Sequence, residues 1–126
     1  MKVDSRAEAW ARLQLSGVAP RPLVDLLRAF GSPEGVLGAT PTQRRRHIPA
    51  SAAELLDAAP ERERLHATLA WLREPGHGLV AWDDPDYPRA LLEIGDPPPV
   101  FYCQGRRDLL AAPAFAIVGS RNATPQ

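Results

Sequence analysis

The apolar residues change their period near residue 75, and an all-helical or an all-strand fold satisfies only one side of that change. Up to residue 74 the spacing is helical and punctuated by caps. Ser5-Arg6-Ala7-Glu8 reads as a capping box, and Trp10 and Leu13 follow it on one stripe. Pro22 opens a second helix in which Leu23, Leu26, Leu27 and Phe30 fall at i, i+3, i+4 and i+7, and Gly31 supplies a left-handed stop. Ser32-Pro33 is a cap followed by proline at the first helical position. Thr40-Pro41-Thr42-Gln43 repeats that device with a reaching Gln, Ser51-Ala52-Ala53-Glu54 reads as another capping box, and Leu65, Leu69 and Leu72 mark a longer helix after Pro60. Residues 5 to 74 are therefore predicted as five or six short helices. Each is too short to stand alone in water, so they must pack on one another. The expected core is Trp10, Leu26, Leu27, Phe30, Leu37, Leu55, Leu65 and Leu69.

Glu74-Pro75-Gly76-His77-Gly78 reads as a hinge, and the pattern after it is that of short buried strands. Leu79-Val80-Ala81-Trp82 is the first. Asp83-Asp84-Pro85-Asp86 is a turn, Tyr87-Pro88 leads a short helix carrying Leu91, Leu92 and Ile94, and Pro97-Pro98-Pro99 forces an extended passage. Val100 to Gln104 is a second strand, stopped by Gly105, and Arg106 to Leu110 one helical turn. Phe115-Ala116-Ile117-Val118 is a third strand, apolar on both faces as in a parallel sheet. This order predicts the opening of an α/β domain.

The third strand runs into Gly119-Ser120-Arg121-Asn122-Ala123-Thr124-Pro125. Strands of open α/β folds deliver the chain to the edge where ligands bind. Gly119 lets backbone N–H groups approach an anion, Ser120 adds a hydroxyl, and Arg121 adds a planar cation able to make two bonds to one phosphate. Thr124-Pro125 would cap a helix whose N-terminus favours negative charge. A plain strand-to-helix turn with Arg121 in a surface ion pair uses the same residues, so the two alternatives stand level on pattern alone.

Composition narrows the function classes. Lys+Arg and Asp+Glu both total 15, which argues against a broad basic surface but not against a local patch. Lys2 is the only lysine; this arginine bias suits phosphate recognition but equally follows from a GC-rich genome, which the scattering of the arginines favours. Cys103 is the only cysteine, so neither a disulfide nor a multi-cysteine metal site can form within the chain. The N-terminus lacks the apolar run of a signal peptide, and no stretch approaches the roughly 20 apolar residues of a membrane span. A cytoplasmic protein with no membrane association is expected.

The ordered series Tyr87-Pro88, Leu91 and Leu92, Asp96-Pro97-Pro98-Pro99-Val100, Tyr102, Gly105, Ala116-Ile117-Val118-Gly119-Ser120-Arg121 and Ala123-Thr124-Pro125 resembles the DprA/Smf family of DNA-processing proteins over about residues 78 to 126. Leu27-Arg28-Ala29-Phe30-Gly31-Ser32 with Val36-Leu37 resembles, more loosely, the SAM-like or helix-hairpin-helix-like domain that precedes the Rossmann domain there. The resemblance implies a helical SAM-like N-terminal domain over 1–75 and the beginning of a Rossmann-like DNA-binding domain over 78–126. It implies single-stranded DNA binding, protection of incoming DNA and assistance in loading RecA during natural transformation and recombination. It also implies a homodimer in the full-length protein, no cofactor and no catalysis. The resemblance further implies that Gly119, Ser120 and Arg121 carry phosphate binding. The sequence ends at Gln126, where the family continues with a glycine, a long helix and the rest of the sheet, so an N-terminal fragment is expected, with the remaining groove and the dimer and RecA surfaces lying beyond it. A bundle that folds well beside an α/β portion that does so only conditionally follows from the open strand edges.

Two other functions use the same residues. A Rossmann-type hydrolase could hold a nucleotide phosphate at Gly-Ser-Arg, but it needs a downstream catalytic motif. A protein–protein interaction module would use the helical bundle alone. Arg44-Arg45-Arg46-His47 is the one basic run; Arg44, Arg45 and Arg46 are possible DNA contacts, with a solvated helix end the favoured alternative. Asp83, Asp84 and Asp86 read as turn chemistry rather than a metal site. Cys103 reads as an inert buried thiol, and His47, His66 and His77 as too dispersed to form a site. Trp82 is assigned to the core; Tyr87 suits either the core or a base.

Overall fold

The computed structural model describes residues 5–59 and 61–110. Six α-helices come first: α1 (Ser5–Ser16), α2 (Pro20–Phe30), α3 (Pro33–Gly38), α4 (Pro41–Arg45), α5 (Ala50–Asp57) and α6 (Arg62–Leu72). Two strands follow, β1 (His77–Ala81) and β2 (Val100–Gln104), with 3-10 turns at Arg89–Glu93 and Arg107–Leu109.

Local chemistry sets most of the joints. Gly31 ends α2 at φ 85°, and its N–H donates to the Leu27 carbonyl at 2.8 Å. Ser32 Oγ accepts from the Gly35 N–H at 3.0 Å and starts α3 one residue later. At α4 both arms of the capping box are made: the Gln43 N–H donates to Thr40 Oγ1 at 3.1 Å and the Thr40 N–H to Gln43 Oε1 at 2.9 Å. The box expected at Ser51–Glu54 does not form. α5 starts at Ala50 with Pro49 before it and has no side-chain cap, because the proline already turns the chain into the helix and leaves Ser51 inside the first turn. Ser5 is likewise already helical within α1 rather than a residue preceding it.

One cluster of buried side chains runs through the described residues. Trp10, Leu13, Val18, Leu23, Leu26, Leu27, Val36, Ile48 and Ala53 come from the helices, and Ala81 and Val100 join them from the strands. The helices and the strand pair thus share apolar surface across residue 75. The core differs from expectation in its outer members. Leu55 is 45% exposed, and Leu65 and Leu69 are only half-buried, on a helix that packs chiefly on α1 and β1. Leu92 and Ile94 are exposed on the 3-10 turn, which is too short to carry a buried face.

β1 and β2 pair antiparallel, with Leu79 opposite Tyr102 and Ala81 opposite Val100. The Trp82 N–H extends the ladder to the Pro99 carbonyl at 2.8 Å, and Gly105 N–H closes its other end on the Gly76 carbonyl at 2.8 Å. Gly76 and Gly105 take φ of 81° and 106°, which glycine alone adopts freely at such a close crossing. The predicted third strand, Phe115 to Val118, lies outside the described residues, and with it the parallel part of the expected sheet.

Candidate nucleic-acid interface

Gly119, Ser120 and Arg121 lie outside the described residues, so the structure bears on the frame that leads to them. That frame is an ion-pair relay no spacing rule would pick out. Arg6 of α1 reaches across to the turn after β1, donating to Asp83 at 2.6 Å and to Asp84 at 3.4 Å. Asp84 Oδ2 accepts the Ala81 N–H at 2.8 Å and so closes the turn. Arg107, just past β2, makes a two-pronged contact with Asp86, Nε at 2.6 Å and Nη2 at 3.0 Å, and stands 3.8 Å from Asp84. The hydrogen bond from Arg107 holds the Asp86 carboxyl below its ordinary pKa, and the same bond raises that of Arg107. The three aspartates therefore act as counter-ions that tie α1, the turn and the segment after β2 together.

Beside this relay, a cleft of about 690 Å³ is lined by Arg6, Trp10, Leu72, Arg73, His77 and Arg107, among others. Its cations are opposed by Glu74 and Asp84 in the same lining, so it is polar without being strongly basic. The His77 side chain is 8% exposed, with Nδ1 at 2.7 Å from the Trp71 carbonyl and 3.4 Å from Glu74.

The arginine run does not form one basic surface. Arg44 is turned inward, donating to the Ala39 carbonyl at 2.8 Å and lying 3.6 Å from Asp57, while Arg45 pairs with Asp57 at 2.6 Å. Arg46 remains exposed. The acidic partner, Asp57, lies twelve residues beyond Arg45 and carries no local signal. Tyr87 belongs to the core: it is 2% exposed, and its hydroxyl donates to the Pro98 carbonyl at 2.8 Å. Trp82 packs half-buried against the central cluster. Cys103 is a free thiol of intermediate exposure, less enclosed than expected. His47 lies edge-on to Phe30 at 5.3 Å, and no group of His, Cys, Asp and Glu able to hold a metal ion occurs among the described residues. No described helix is long and apolar enough to cross a membrane.

The strand pair, the turn and the proline passage all lie in the segment that known proteins share. The model of a family described as DNA recombination-mediator protein A matches residues 78–126. Over that segment the chain is similar to proteins of the DprA/Smf family. Protein Smf of Escherichia coli is 35% identical over 60 residues, covering 48% of this chain and 16% of that protein. Protein Smf of a Synechocystis species is 52% identical over 46 residues, covering 33% of this chain and 12% of that protein. The matched segment is thus a small part of these relatives' length. No solved structure matches the chain at a significant level. Tyr87, the Pro98 carbonyl that it bonds and Asp86 all fall within the family segment, so part of its residue pattern serves the fold.

Proposed function

We propose that the chain takes part in DNA processing as part of a single-stranded DNA-binding protein, with phosphates held by Gly119, Ser120 and Arg121. The observation that carries this is the family match, which runs from β1 through the Gly-Ser-Arg loop to residue 126. A glycine, a hydroxyl and a guanidinium in succession after an apolar strand are the groups that phosphate recognition uses. Binding through phosphates is weakly sequence-specific and falls steeply with salt. By the same resemblance, the full-length protein is a cytoplasmic homodimer that protects incoming DNA and hands it to RecA, and it acts by binding rather than turnover.

Arg44 and Arg45 support a second role for the helical bundle. With both guanidiniums occupied by Ala39 and Asp57, that face suits a protein partner better than a phosphate backbone.

The deciding experiment is fluorescence anisotropy of a labelled oligo-dT at several salt concentrations, with the full-length protein and its Arg121→Ala variant. The variant is expected to bind more weakly, with a log–log salt slope smaller by about 0.7, the single-strand value for one lost phosphate contact. Equal binding would make Arg121 structural. Absence of binding by the parent protein would leave the interaction-module role for the bundle.

A further inference from the structure

α6 has two faces. At about 100° per residue, Leu65, Leu69 and Leu72 fall on one side, while Arg64, Ala67, Thr68 and Trp71 fall on the other. No residue of this helix is fully buried. Trp71 is nonetheless held firmly. His77 lies almost parallel on it, with ring centroids 4.0 Å apart and planes at 22°, and Tyr102 of β2 meets it edge-on at 5.7 Å and 76°. The imidazole is itself pinned by its contact to the Trp71 carbonyl. Between Trp71 and Tyr102 a pocket of about 300 Å³ opens to solvent, with the small side chains of Ala67 and Thr68 as its other walls. The Tyr102 phenol oxygen is buried and has no hydrogen-bond partner among the described residues; burial raises its pKa, so it stays a donor. Arg64, about a turn away on the same face, is exposed and makes no ion pair among the described residues.

We propose that this pocket is a nucleobase subsite, in which an unpaired base of a bound single strand packs into the corner that Trp71 and Tyr102 form with Ala67 and Thr68, while Arg64 meets a neighbouring phosphate. It presupposes the single-strand binding proposed above. A corner of two aromatic rings, with Trp71 held from behind by His77, suits a planar π-system, and aromatic packing accepts any base. A small pocket with a free arginine beside it suits one base and its phosphate better than the broad apolar face of a protein helix.

The test uses the full-length protein with two fluorescein-labelled strands of equal length, oligo-dT and an abasic strand of the same phosphate count. Trp71→Ala is expected to weaken oligo-dT binding by about fivefold or more, to leave the abasic strand unaffected, and to keep the salt slope unchanged. Ala67→Leu, which fills the pocket while keeping Trp71 and an exposed helical position, is expected to act in the same direction. Equal losses on both strands would reduce Trp71 to a structural role and overturn the subsite. No loss with either variant would overturn it too, and would leave this face to a protein partner. If the parent protein binds neither strand, the DNA-binding proposal fails and the subsite falls with it; if it binds both equally tightly, only the subsite fails.

Discussion

Arg44 and Arg45 are neighbours in sequence and opposites in environment. The Arg44 side chain is 9% exposed and anchored on a backbone carbonyl, whereas that of Arg45 is 43% exposed on the same aspartate. Hydrogen bonds from buried charged groups contribute about 1.5–3 kcal/mol, and exposed pairs about 0–1 kcal/mol. Arg44→Ala is therefore expected to destabilise the protein by about 2 kcal/mol and Arg45→Ala by less than about 1 kcal/mol, read from urea unfolding midpoints. A run of three arginines shows in the sequence as charge. Which of them points inward depends on Asp57 and Ala39, which only the packing of α4 on α5 brings near. Tyr87 is a similar case: a tyrosine before proline looks usable for stacking, but its enclosure and the Pro98 carbonyl commit it to the core.

The helix starts separate into those made by side chains and those made by proline. Thr40 and Gln43 form a reciprocal box at α4, whereas Ser51 lies within the first turn of α5 behind Pro49. Loss of a capping side chain costs about 1 kcal/mol, and a surface substitution away from such features stays within about 0.5 kcal/mol. Thermal unfolding is therefore expected to show Thr40→Ala as clearly destabilising and Ser51→Ala as close to neutral. The Ser51 and Thr40 motifs look alike because the spacing of a serine or threonine and a glutamate or glutamine is local. Whether the preceding residue has already set the helix entry is what separates them. The α2–α3 joint is tighter than its sequence suggests: a Cβ on Gly35 would run into the Phe30 carbonyl, a backbone atom that cannot yield.

Across the whole molecule, the strand pair is bound to the helices by apolar packing through Ala81 and Val100 and by the Arg6–Asp83–Asp84 and Arg107–Asp86 contacts. The Arg107–Asp86 pair is sensitive to pH. Because Arg107 lowers the Asp86 pKa from its ordinary 3.8, the stability that this pair contributes is fully present above that value. It is lost as pH falls through the lowered folded-state value. Unfolding followed by tryptophan fluorescence from pH 7 down to pH 2 is expected to show a stability loss below about pH 4 that Asp86→Asn reduces. The parent and the variant should converge at the acid end; a constant gap between them would mean that Asp86 acts by packing rather than by charge.

By itself the sequence determined a run of five or six short helices, the position of β2 and, to within two residues, that of β1, the caps at Ser32 and Thr40, the left-handed stop at Gly31, and a family resemblance that the comparison over residues 78–126 bears out. These features depend on residues a few positions apart, where backbone geometry dictates which side chains can meet. Only the tertiary structure decided the antiparallel pairing of β1 with β2, the exposure of Leu55, the inward turn of Arg44, the counter-ion role of the three aspartates and the aromatic pocket of Trp71 and Tyr102. Arg6 meets Asp83 across 77 positions, and Trp71 meets Tyr102 across the joint between helix and strand. Contacts at that range follow from how apolar faces are buried together, and no local spacing encodes them.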